Sequence, residues 1–181
     1  MADTVDTASV QDRRPLRFED IDQLMADADR LVADDRACSL HRLGNWTLGQ
    51  TLGHIAAWAS FPYEGYPSGF RLPFFVKWIA RLGKNAFIRR PMRPGMRIPR
   101  IAGGTLATDL LSTDEGIKRF RSAFQRLARE APSRPNPVFG PLTHEEWIAL
   151  NLRHAELHLS FFRPGSSRGA NLMDVSIHPV D

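Results

Sequence analysis

The chain carries a single cysteine, Cys38, in 181 residues. A lone thiol cannot build an internal disulfide framework, and it excludes an all-cysteine metal site. It fits a reducing compartment, where disulfides are rare. Long apolar runs are missing as well. The greasiest stretch, Leu72 to Leu82, is interrupted by Lys77 and Arg81. It falls short of the roughly 18 to 20 apolar residues that cross a bilayer. The opening MADTVDTASVQDRR has no apolar segment of the kind a secretory signal needs. These absences predict a cytoplasmic protein with no membrane span. No strand-like alternation and no internal repeat stands out along the chain.

One sign of charge is missing from a whole segment. Residues 71–100 hold nine bases and no acid, whereas residues 1–37 hold ten acids against five bases. A basic block of this kind could attract phosphates, nucleic acid or an anionic membrane; it could equally be a solvated face. Nucleic acid is not the expected partner. The block offers Trp78 and Phe87 without the regular interleaving of bases and stacking aromatics that single strands favour.

What is present is helical. An apolar content of 43% suffices for one core. Residues 1–15 lack periodicity and read as a flexible arm ending at Pro15, and residues 164–181 read as a polar tail. From Phe18, apolar side chains recur at Ile21, Leu24, Met25, Ala28, Leu31 and Val32, which predicts a helix over 17–35. Thr47 is a candidate N-cap for a second helix, closed soon after Phe61 by Pro62, Gly65 and Pro67. Residues 70–90 read as a third, basic helix, and 91–108, with three prolines and three glycines, as a loop. Ser112 to Glu115 and Thr143 to Glu146 are capping-box patterns that open two more helices, the last reaching about Phe162. The expected fold is all-α: one domain over 16–163, with 70–108 inserted between the second and third principal helices.

The chemistry concentrates in the last helix. Trp147, Leu150, Asn151, His154, Leu157, His158 and Phe161 share its predicted buried stripe. Histidines at i and i+4 present their imidazoles on one side, about 5–6 Å apart at Cβ. Burial disfavours their charged form, and ligation satisfies the neutral one. The same pair could instead be ordinary hydrogen-bonded core residues. The second helix supplies His54, with Gln50 and Trp58 on its side and Gly49 and Gly53 beside it, leaving room for a ligand or for close helix approach. One histidine from that helix and two from the last would make a three-nitrogen set with a vacant fourth position, the pattern of a catalytic metal site.

Two segments carry a family resemblance. Asn45-Trp46-Thr47-Leu48-Gly49-Gln50 leads to His54. Phe139-Gly140-Pro141-Leu142-Thr143 leads through Glu146-Trp147 to Arg153-His154 and His158. Over roughly residues 18–163 the chain resembles the DinB-like (DinB/YfiT-like) superfamily of metal-dependent enzymes, and within it an uncharacterised subfamily with a long middle insertion. The resemblance implies a four-helix bundle, often dimeric, whose ligands here are His54, His154 and His158. One divalent ion would sit there, zinc or nickel foremost, with iron, manganese, cobalt or copper also in range. Many relatives carry another histidine where this chain has Leu157. Some act on small molecules with a low-molecular-weight thiol as cosubstrate. That implies a metal-dependent transferase or hydrolase working through an activated thiol or water. The alternative is a non-catalytic bundle that binds a metal or small ligand.

Other titratable residues are weaker candidates, and the catalytic and substrate-binding residues are left unassigned. His144 is expected to face solvent, His41 to precede the Gly44 break and His178 to lie in the tail. Glu156 is expected on the surface, and Glu64, just past the second helix, is the candidate general base. The apolar residues Leu72, Phe74, Phe75, Val76, Trp78 and Ile79 would suit either a homodimer contact or a segment folded over its own bundle.

Overall fold

Short polar side chains start the long helices. The carboxylate of Asp20, in extended conformation, accepts the Gln23 amide and opens α1 (Ile21–Arg36). Thr47 and Gln50 form a reciprocal capping box at the start of α2 (Leu48–Glu64). Ser112 with Glu115 does the same for α5 (Thr113–Arg129), and Thr143 with Glu146 for α6 (His144–Leu159). The computed structural model describes residues 4–67, 74–96 and 104–165, with backbone alone for 74–77. Most of that chain is helical, and none of its helices is long and apolar enough to cross a membrane.

The four long helices share one core. Leu24, Ala28 and Leu31 of α1 meet Leu52 and Ile55 of α2, Phe120 and Phe124 of α5, and Leu152 and Leu159 of α6. Phe120 and Phe124, one turn apart with ring centroids at 4.7 Å, are fully buried. Burying each contributes about 1.5–3 kcal/mol. The most extensive contact joins α2 to α5. A Cβ on Gly49 would overlap the Leu111 carbonyl and the Ser112 backbone, and one on Gly116 would overlap the backbone of Gly49. Gly49 therefore serves close backbone approach, and the space beside Gly53 is taken by the Leu111 side chain.

Several boundaries differ from the sequence expectation. Helix α1 starts four residues later than predicted, because Asp20 is its cap, and Phe18 is buried ahead of it. Helix α2 runs through Pro62 to Glu64. A proline that close to the C-terminal end removes only one ladder bond, and Gly65, at φ 111°, ends the helix. The helix expected over 70–90 is two, α3 (Phe74–Leu82) and α4 (Lys84–Arg89), parted at Gly83; residues 70–73 lie outside the described residues. The loop expected over 91–108 is irregular at 91–96, and 97–103 lie outside the described residues. Helix α6 stops at Leu159. Phe162–Arg163 (β2) then pairs antiparallel with His41–Arg42 (β1), with His41 opposite Arg163. Two residues per strand are too few for an alternation to show in sequence.

The basic insertion folds back on its own chain. Ala80 and Ile88 pack with Phe139 and Leu150, and Lys84 pairs with Glu146 at 2.6 Å. The described part of the N-terminal segment makes contacts with the helices. Val5 and Asn45 exchange two hydrogen bonds of 2.8 Å. Arg14 reaches Asp27 at 2.6 Å and the Leu159 carbonyl at 3.2 Å. The C-terminal tail beyond residue 165 lies outside the described residues, as does His178.

Candidate metal centre

His54 lies seven residues beyond the Thr47 cap, two turns into α2, and is buried. Its Nδ1 stands 2.8 Å from the Leu106 carbonyl oxygen. A carbonyl only accepts, so Nδ1 carries the proton and Nε2 keeps its lone pair. Leu106 belongs to the chain returning from the insertion, which the Gln50 side chain also holds through the Thr108 carbonyl at 3.2 Å. From α6, His154 and His158 present rings whose centroids are 4.6 Å apart and nearly perpendicular. The His54 centroid lies 5.2 Å from that of His154 and 4.6 Å from that of His158.

Electrostatics keeps all three neutral. Burial pushes the His54 imidazole down to about 4, against partial compensation from the backbone at Leu106 and Ala107. Burial holds His154 well below its ordinary value, and a charge on His54 would push it lower still. His158 is depressed in the same way, by burial first and then by its two neighbours. His154 and His158 keep some surface open to solvent, so the site is walled without being sealed.

This donor set fits a divalent ion. One ring nitrogen from each histidine lies within 4.8 Å of the others. Bonds of about 2.0–2.1 Å at a tetrahedral angle separate two nitrogens by about 3.4 Å. Small side-chain rotations close that gap. Neutral imidazoles, one with its second nitrogen tied to a carbonyl, are in the form that ligates. A family model matches residues 10–165 of the chain. The chain belongs to DUF1569, a family of proteins of unknown function. No curated protein and no solved structure matches it.

In this DUF1569 chain two tryptophans flank the histidines. Trp46 stacks on His158, with centroids at 5.5 Å and planes 8° apart, and tilts over His54 at 4.8 Å. Trp58 meets His154 edge-on at 5.8 Å and continues into Phe61 and Tyr66. Trp46 precedes the cap of α2, outside any helical stripe, so periodicity could not assign it a role. The Leu106 carbonyl left no sequence signal, being backbone 52 residues away.

Other candidates fall elsewhere. Glu64 is the exposed last residue of α2, ten residues or roughly 15 Å along the axis from His54, too far to act as its base. His144 is half-buried, not solvent-facing, and its Nε2 lies 2.6 Å from the Leu127 carbonyl. His41 is exposed in β1. Glu156 is not on the surface. It is buried, accepts the Phe18 amide at 2.6 Å and pairs with Arg153 at 2.6 Å. Helix α6 is thus buried on more than the predicted stripe, its second face being covered by the chain ahead of α1.

Proposed function

We propose that this protein is a DinB-like four-helix bundle whose His54, His154 and His158 hold one divalent ion, zinc or nickel foremost, and that it is a metal-dependent transferase or hydrolase of small molecules. The observation that carries this reading is the convergence of three imidazoles kept neutral by burial, one of them oriented by a backbone carbonyl. Three protein ligands leave a coordination position open, as catalytic sites do. The bound ion supplies Lewis acidity, lowering the pKa of a thiol or water at that position toward neutrality. Trp46 and Trp58 exclude water from two sides and favour a substrate with a flat or apolar portion. His54 Nδ1–H stays hydrogen-bonded to the Leu106 carbonyl, so that ring orients and does not shuttle protons.

A non-catalytic ligand-binding bundle is the second reading. Among the described residues no carboxylate or thiol joins the three histidines, and Leu157 supplies no proton carrier beside them. Protein loaded with zinc or nickel, incubated with low-molecular-weight thiols and small electrophiles, separates the two. Thiol consumption is expected from the loaded protein and not from the apo protein or His158→Ala. Equal rates in all three would contradict the enzyme reading.

A further inference from the structure

Helix α3 turns two different faces outward and inward. Ala80 packs inward with Ile88, Phe139 and Leu150. On the outward side Trp78, Ile79 and Leu82, at i, i+1 and i+4, are 63%, 62% and 71% exposed. Phe87 and Met96, later in the same basic segment, are exposed as well. The long helices do the opposite: α1 and α5 bury their apolar stripes and present charges such as Asp29 and Arg121 to water. An outward cluster of this size on a folded chain marks a surface that something covers.

Charge decides what covers it. Arg81, Arg89, Arg90 and Arg93 are exposed along α3, α4 and the residues that follow, the Arg81 guanidinium lying beside Gly140. Residues 71–100 contain no acid, and Glu146, which reaches this segment from α6, is paired with Lys84. A second copy docked by two-fold symmetry would bring the same bases against themselves, which is unfavourable. An anionic bilayer surface meets both properties at once. Its headgroups attract the bases, and its acyl boundary accepts a short helix lying in plane with tryptophan, isoleucine and leucine downward. The indole, apolar in body with one polar N–H, suits that boundary. We propose that α3, with the basic residues after it, is a docking face for membranes containing anionic lipid. This inference is independent of the metal site.

The test is sedimentation of the full chain with vesicles of phosphatidylcholine alone, and with about a third of the lipid replaced by phosphatidylglycerol. At low salt, at least about ten times more protein is expected with the anionic vesicles, with the excess falling steeply as salt screens the bases. Trp78→Glu combined with Leu82→Glu should abolish that excess while leaving helicity and melting unchanged, since both side chains are exposed. Should that variant misfold, Arg89→Glu with Arg90→Glu, outside the apolar cluster, gives the same readout. No difference between the two vesicle types for the wild-type protein would overturn the proposal. So would anionic binding that survives both double variants. A dimer mass in light scattering that Trp78→Glu converts to a monomer would also overturn it, showing that a second copy covers the face.

Discussion

Replacing Arg153 by methionine is expected to lower stability by about 3–5 kcal/mol, a large part of the 5–15 kcal/mol that typically holds a domain together. Arg153 and Glu156 pair at 2.6 Å with side chains only 3% and 5% exposed. Between them they close a clamp on the main chain ahead of α1. The Glu156 carboxylate accepts the Phe18 amide, and the Arg153 guanidinium donates to the Phe18 carbonyl at 2.5 Å. Burial already pushes the Glu156 carboxyl up, while the Phe18 amide pulls it down. Removing the arginine leaves a buried carboxylate and a buried carbonyl without their partner, and that orphaning is where the cost arises. Arg153→Met with Glu156→Leu should recover part of the loss, because the lone charge is gone, but not all, because both Phe18 backbone groups remain unmet. Urea unfolding midpoints at constant slope measure this. A loss below about 1 kcal/mol for the single variant would mean that the clamp carries little.

Acid should weaken the metal-free protein through its histidines. Their folded pKa values lie below the ordinary 6.5, with His54 near 4. Above about 6.5 the imidazoles are neutral in folded and unfolded chains alike, and their contribution to stability is fully present. As pH falls below that value the unfolded chain takes up protons that the folded one refuses, so unfolding gains ground. For His54 the loss runs from about 6.5 down to about 4 and amounts to about 3 kcal/mol at most. His154 and His158 act in the same direction. A divalent ion requires the same neutral rings, so the stabilisation it adds should also shrink over this window. Melting temperatures of apo and metal-loaded protein from pH 7.5 to 4.5 check both statements. A His54→Ala variant, which no longer carries that proton-refusing ring, should show a shallower acid slope; a slope identical to wild type would contradict the assignment.

The sequence exposed what depends on local pattern. Capping residues are short-range chemistry, and Thr47, Ser112 and Thr143 stand where their side chains indicate. The three histidines were legible in part. Spacing places His154 and His158 on one side of the last helix, while joining His54 to them rested on the family resemblance, and the structure brings the three rings together. Features that rest on distant backbone were not legible. Arg153 and Glu156 look like surface residues by type, and only Phe18, 135 and 138 residues away, makes their burial tolerable. The Leu106 carbonyl that orients His54 and the Asn45–Val5 contact to the arm have the same character. The break at Gly83 escaped periodicity because the apolar pattern continues across it while the helix does not.

The central claim is that three histidines hold one divalent ion. Elemental analysis of the protein prepared without a histidine tag, after equilibration with zinc or nickel and removal of excess, tests it most directly. The wild-type chain and His144→Ala should each retain about one equivalent, and His54→Ala, His154→Ala and His158→Ala should each retain almost none. Equal metal content in wild type and all four variants would contradict the account.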